Sequence, residues 1–242
     1  MSEEIRKGVL YVVSTPIGNL DDITLRAVHI LRSVDLIAAE DTRTTRVLLD
    51  RHGIDKPLIS CFSYNERRRV PDLLDRMRRG GAIAVVTDAG TPGISDPAYV
   101  VIREVIAAGF DVIPSPGASA VLAALVASGL PTDRFVFEGF LPLKKGRKTR
   151  WERLAQEERT IVIYESPHRI VRTLGDVLAM LGDRHVAVAR EMTKKFEEVE
   201  RGTVSEVLSR ISGKTPRGEY VLVIAGTTYR SDGADDHNDP RI

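Results

Sequence analysis

The amino-acid sequence predicts an α/β protein whose N-terminal half is a parallel five-stranded sheet, and three observations predict it. From Val9 to about Gly129 one pattern recurs: a short apolar run rich in β-branched residues, a loop of Gly, Pro, Asp, Ser or Thr, then an amphipathic stretch with helical spacing. The runs are almost continuously apolar, as strands buried on both faces are, and strands that alternate with helices pair in parallel. GLPTDR at 129–134 then interrupts the rhythm, and a second series of strands and helices follows. The expected boundaries are 1–129 for a first α/β domain, 130–228 for a second, and 229–242 for a tail.

Each element follows from its composition. VLYVV (9–13), DLIAA (35–39), PLISCF (57–62), AIAVVT (82–87) and DVIPS (111–115) are the five strands. Helical spacing places helices at 25–32, 44–52, 70–79, 97–108 and 119–128. In the second series RFVFEGF, RTIVIYES, RHVAVARE and GEYVLVIAG read as strands, with helices at about 150–158, 168–181 and 204–211. The tail SDGADDHNDPRI has almost no apolar side chain and is expected to be disordered.

Of 242 residues, 43% are hydrophobic and 29% charged, enough apolar material for a buried core. Thirty-five basic and 34 acidic side chains leave a net charge of +1, so any nucleic-acid contact requires a local basic patch. Cys61 is the only cysteine, which excludes an intramolecular disulfide; with no Cys/His cluster, no metal site is expected and a reducing cytoplasm fits best. The first apolar run stops at Ser14 and Pro16, too short for a secretory or membrane segment.

In open α/β sheets ligands bind beyond the carboxyl ends of the strands. The loops there are STPIGNLDDIT (14–24), EDTRTT (40–45), SYNERRR (63–69), DAGTPGISDP (88–97) and SPGASA (115–120). In DAGTPGISDP, Gly90 and Gly93 permit close approach of a ligand, and Asp88 and Asp96 can accept ribose or amine hydrogens. The same residues also read as a tight strand-to-helix connection, with Ser95 or Asp96 as the N-cap and Pro97 opening the helix. SPGASA poses the same choice between Gly117 as a ligand approach and Ser119 as a mere cap. No GxGxxG follows a strand, and GKT at 213–215 is no P-loop, because Leu208 stands where its first glycine belongs and a helix precedes it. HExxH and GxSxG are also missing, which weighs against metalloprotease and hydrolase chemistry.

Taken together, STPIGNLDDITLRA, LIAAEDTR, SYNE, TDAGTPGISDPA, PSPGASA, DRFVFEGFLP, YESPHR, AREMTKKFEE and GEYVLVIAG resemble, in order, the motifs of the ribosomal RNA small-subunit methyltransferase I family. They span about Val9 to Gly226. The resemblance implies the tetrapyrrole-methylase fold: two α/β lobes, the second with a mixed sheet, S-adenosyl-L-methionine in the cleft between them, and usually a homodimer. It further implies 2′-O-methylation of a decoding-centre cytidine in small-subunit (16S) ribosomal RNA, within the assembled 30S subunit. Carried over by motif, Asp88, Gly90, Ile94, Ser95, Asp96, Gly117, Ala118 and Ser119 would hold the donor from the first lobe. Glu165, Ser166, Arg190, Glu191, Gly218 and Glu219 would hold it from the second.

Where tetrapyrrole C-methyltransferases show a GxGxGD first loop, this chain has STPIGNL at 14–20, which favours the RNA branch over that alternative. Many family members continue past GEYVLVI with a helical extension, in whose place this sequence has the acidic tail.

A ribose hydroxyl is a poor nucleophile until a base takes its proton or a cation stabilises the alkoxide. Glu66 or Asp41 is the expected base, with Arg43 and Lys194 orienting phosphate or stabilising the oxyanion; helix capping by Asp41 and a surface ion pair for Glu66 are the competing readings. KKGRKTR at 144–150 packs five cations into seven residues. Lys144, Lys145, Arg147 and Lys148, with Arg67 and the first-loop residues Pro16 and Asn19, are the expected RNA contacts, against the alternative of a solvated charge run. Two other classes stay open: a non-catalytic RNA- or nucleotide-binding module, and a metal-dependent phosphate-ester hydrolase.

Overall fold

The computed structural model describes residues 5–213 and 215–230. They form two compact units that divide between Ala120 and Val121. Of the tail expected at 229–242, residues 231–242 lie outside the described residues.

The first unit contains β1 (Val9–Val13), a short 3-10 turn (Leu20–Asp22), α1 (Leu25–Ser33), β2 (Leu36–Ala39), α2 (Thr42–Arg51), β3 (Leu58–Ser60), α3 (Glu66–Arg78), β4 (Ile83–Val86), α4 (Tyr99–Ala107) and β5 (Asp111–Ser115). The sheet order is β3-β2-β4-β1-β5 and every pairing is parallel, as the continuous apolar runs required. Alternation along β1 sends Val9, Tyr11 and Val13 to a core with Ala27, Ile30 and Leu31 of α1 and Leu49 of α2. Leu10 and Val12 point the other way, to a core with Leu73 and Met77 of α3 and Val101 and Val105 of α4. Both faces are thus covered, and all five strands end their carboxyl termini on one edge of the layer.

The second unit follows with α5 (Ala120–Ser128), β6 (Phe135–Phe140), α6 (Arg147–Leu154), β7 (Thr160–Glu165), α7 (Ile170–Leu181), β8 (His185–Arg190), β9 (Glu198–Thr203), α8 (Val204–Ser212) and β10 (Tyr220–Ile224). Its order is β6-β7-β10-β8-β9; β6 and β7 pair in parallel and the rest antiparallel, giving the mixed sheet. Ile161, Ile163, Val186, Val188, Leu222 and Ile224 pack with Trp151 of α6, Leu174 and Val177 of α7, and Val207 of α8.

Four boundaries differ from the sequence reading for physical reasons. β9 escapes the apolar-run criterion because EVERGT is an edge strand with a single apolar side chain, Val199. α3 starts at Glu66, one turn before the expected start at Val70, because the Asn65 carbonyl accepts the Arg68 and Arg69 N–H groups at 3.0 and 3.1 Å. α6 starts at Arg147, inside the basic run that reads as a loop. α4 starts at Tyr99, so neither Ser95 nor Asp96 is its N-cap and Pro97 is not its first residue; the cap is Ala98, at φ 106°.

Candidate active site

At the carboxyl edge of the first sheet, three loops are laced by their own backbone. Thr15, two residues past β1, exchanges hydrogen bonds with Gly90: its N–H donates to Gly90 O at 2.9 Å and it accepts from Gly90 N at 3.1 Å. The Ser14 and Thr91 hydroxyls lie 2.9 Å apart, and Ser14 N donates to Ser115 O at 3.2 Å. Gly117 belongs to the same packing, since a Cβ there would lie 2.9 Å from Ser14 Cβ. The DAGTPGISDP loop and the Ala98 that follows it hold a run of left-handed residues, Gly90, Gly93, Ser95 and Ala98, of which Ser95 and Ala98 adopt a conformation costly for a residue with a Cβ. Ile94 and Ser95 are exposed at its tip, and Ala118 and Ser119 are half-buried in the turn after β5.

The neighbouring strands β2 and β4 carry carboxylates just beyond their ends. Asp88 N donates to Glu40 Oε2 at 3.3 Å, and Asp41 N donates to Asp88 Oδ1 at 3.1 Å. Burial raises the Glu40 carboxyl above its ordinary pKa, the Asp88 N–H partly offsets this, and the Asp88 and Asp41 charges add to the rise. Asp88 is raised in the same way, by burial first. Asp41 behaves oppositely: hydrogen bonds from the Arg43 side chain and backbone hold it down to about 2. Asp41 is also the N-cap of α2, accepting Arg43 N at 2.8 Å, and its other oxygen meets the Arg43 guanidinium at 2.6 Å.

Glu66 is 5% exposed and accepts the Val100 N–H at 3.1 Å, so it serves the first turn of α4 where Ala98 offers no side-chain cap. Sequence reasoning passed over Glu40, although the signal was the same as for Asp88: an acidic residue directly after an apolar strand. It also missed Thr87 and Ser115, both nearly fully buried where β4 and β5 end, whose hydroxyls find no partner among the described residues. Buried polar atoms without partners at the ligand edge of a parallel sheet suit a polar ligand such as a nucleoside.

In the second unit Glu165 is 1% exposed and saturated: it accepts Ser166 N at 2.7 Å, Arg169 Nε at 2.6 Å and Thr173 Oγ1 at 2.6 Å. Thr173 in turn accepts from Arg147 at 2.9 Å, and Arg147 also donates through Nε to Asp176 at 2.8 Å. Arg147 is therefore buried inside the unit and does not share the exposure of Lys144, Lys145 and Lys148.

At the ends of β8 and β10, Lys194 Nζ lies 3.0 Å from Glu191 Oε1 and 2.9 Å from Glu219 Oε2. Burial opposes its charge, yet the hydrogen bonds it donates to the two carboxylates win and raise its pKa, so Lys194 is a fixed cation. Glu191 sits at φ 50° and shares a backbone bond with Glu219; a Cβ on Gly218 would come within 2.4 Å of the Glu191 side chain. Arg190 is tied to Glu198 at 3.1 Å and to Arg217 O at 2.9 Å. Of the remaining expected RNA contacts, Arg67 is exposed, Pro16 is buried, and the Asn19 side chain caps the 3-10 turn by accepting from Asp21 N. Among the described residues no group of three His, Cys, Asp or Glu is arranged to hold a metal ion, and no helix is long and apolar enough to cross a membrane.

The pattern of the family described as Tetrapyrrole (Corrin/Porphyrin) Methylases matches residues 9–208. A Synechocystis protein named Ribosomal RNA small subunit methyltransferase I is 52% identical over 223 residues, covering 91% of this chain and 80% of the relative. Its namesake from Thermotoga maritima is 48% identical over 219 residues, covering 90% and 99%. The chain belongs to the ribosomal RNA small subunit methyltransferase I family.

Solved structures extend the family likeness to the fold. Diphthine synthase matches with a TM-score of 0.70 at 13% identity, covering 92% of this chain and 91% of its own. A cobalt precorrin-4 methyltransferase matches with 0.66 at 21%, covering 92% and 98%. Such low identities carry the two-sheet architecture and no acceptor.

The saturated Glu165 generates a prediction. Glu165→Ala removes the acceptor of Thr173 and of the half-buried Arg169, whose side chain is 20% exposed, and should cost about 1–3 kcal/mol in a urea unfolding measurement, whereas a loss below about 0.5 kcal/mol would show the network to be dispensable.

Proposed function

We propose that this protein transfers a methyl group from S-adenosyl-L-methionine to the 2′-hydroxyl of a cytidine in small-subunit ribosomal RNA. It acts in the cytoplasm, as a homodimer, on the assembled 30S subunit. The observation that carries the reaction and the RNA class is the near-50% identity, over nine-tenths of the chain, to proteins named for that activity. The ribose hydroxyl and the cytidine rest on the motif resemblance.

S-adenosyl-L-methionine supplies an electrophilic methyl on a sulfonium, and displacement demands that the acceptor oxygen lie in line behind it. Asp88, Gly90, Ile94, Ser95, Asp96, Gly117, Ala118 and Ser119 are the donor residues of the first unit, and the orphan hydroxyls of Thr87 and Ser115 support that assignment. Ser166, Arg190, Glu191, Gly218 and Glu219 are those of the second, with Glu165 acting through Ser166, whose N–H it holds.

The base is Glu40. A carboxylate held near 2 by Arg43, as Asp41 is, has little appetite for a proton, and Glu66 is sequestered against α4. Glu40 is half-buried, raised in pKa and adjacent to Asp88, the properties a general base near neutral pH needs. Arg43 and Arg67 orient phosphate, Lys194 remains a cation that fixes Glu191 and Glu219, and Lys144, Lys145 and Lys148 bind backbone phosphate.

Labelled S-adenosylmethionine incubated with small ribosomal subunits from a strain lacking the protein should deposit label on the ribose of one cytidine, located by nuclease mapping. Donor binding with no transfer would instead move a tetrapyrrole acceptor to the front. Glu40→Gln should slow transfer by about 10²–10⁴-fold with donor affinity unchanged; full activity in that variant removes Glu40 from the role.

A further inference from the structure

In the second unit a cavity of about 410 Å³ opens between the segment after β6 and the helices α6 and α7. That volume falls within the range of small-ligand pockets, about 300–1,000 Å³. Its inner wall is rigid. Arg147, with a side chain 6% exposed, is locked to Asp176 and Thr173 and lies over the Trp151 ring at 5.7 Å. Trp151 is 2% exposed, and its buried Nε1–H has no acceptor among the described residues, so this wall holds a donor left unsatisfied there.

The mouth has a different character. Leu143 is 62% exposed and Met180 half-buried, which gives an apolar, deformable seat. Around that seat stand Lys144, Lys148 and Arg172, all exposed. Among the described residues neither Lys144 nor Arg172 forms an ion pair, and Lys148 has only a 3.8 Å contact with Glu152 on an exposed helix face. The lining acid, Asp176, is already spent on Arg147. The cavity therefore carries surplus positive charge around an apolar seat, the combination that single-stranded nucleic acid meets with a phosphate and the face of a base.

We propose that this cavity receives an unstacked nucleotide of the substrate RNA, with its phosphates on Lys144, Lys148 and Arg172 and its base against Leu143 and Met180. It is a docking site separate from the residues assigned to methyl donor and base. The proposal rests on the RNA-methyltransferase reading. It explains why the basic run is built around a buried arginine: Arg147 stiffens the wall and leaves the flanking lysines to the ligand.

The test measures binding of full-length protein to naked small-subunit ribosomal RNA and to assembled small subunits across a salt series, alongside methyl transfer. The variants Lys144→Glu, Arg172→Glu and Leu143→Asp change exposed side chains and spare Arg147 and Trp151. Each should weaken naked-RNA binding by roughly tenfold, and the two charge reversals should also flatten its salt dependence by about one phosphate contact. KM for RNA should rise by a similar factor, with donor affinity unchanged. Wild-type affinity and salt slope in all three variants would overturn the cavity while leaving the methyltransferase reading intact. A defect confined to assembled subunits, with naked RNA bound normally, would overturn it in favour of an acidic protein partner. Absence of RNA methylation by the wild-type protein would remove the reading beneath it.

Discussion

The mutual hydrogen bonding of the segments that leave β2 and β4 is the constraint on which the strand-end chemistry depends. Parallel strands deliver Glu40, Asp41 and Asp88 to one edge, where three carboxylates would repel each other and lose solvation. Backbone N–H groups resolve the conflict: Asp88 N–H is given to Glu40 and Asp41 N–H to Asp88. Arg43 takes Asp41 out of the competition by holding it ionised, and burial keeps the other two raised. One edge thus holds carboxyls of opposite tendency, a difference that acid–base chemistry requires and that no single residue could provide.

The second unit uses the same economy of polar groups differently. Glu165, Thr173 and Arg147 form a buried chain that ends at the half-buried Asp176, linking the end of β7 to α6 and α7 and closed by Arg169. These bonds tie α6 to α7 and α7 to the end of β7, which makes the chain stiff and costly to interrupt. Its consequence is a firm wall beneath the lysines of the basic run, while Lys194 locks the Glu191 turn at the other strand ends.

Much of this was legible in the sequence, and the parts that were not share a cause. Continuous apolar runs gave the parallel sheet and its helices, because burial on both faces dictates composition. EVERGT stayed hidden because an edge strand needs little apolar character, and the turn of α3 before Pro71 because its bonds come from the Asn65 backbone. Among site residues, position relative to strand ends was readable, so Asp88 and the glycine loops stood out. Partnership was not: nothing in the letters KKGRKTR says that Arg147 turns inward to Asp176, or that Glu66 caps α4 while Glu40 faces Asp88. Those outcomes depend on contacts between residues far apart in the chain.

In the proposed reaction a strand-end carboxyl with a raised pKa, Glu40, takes the proton of the acceptor hydroxyl. The most direct measurement is the pH dependence of single-turnover methyl transfer at saturating donor, for the wild type and Glu40→Gln. Because folding raises the Glu40 pKa, its basic form is lost as pH falls through a value above the ordinary 4.5. The wild-type rate should decline on the acid side around that raised value, and the decline should disappear in the variant. A wild-type profile flat through that range, or the same decline persisting in Glu40→Gln, would contradict it.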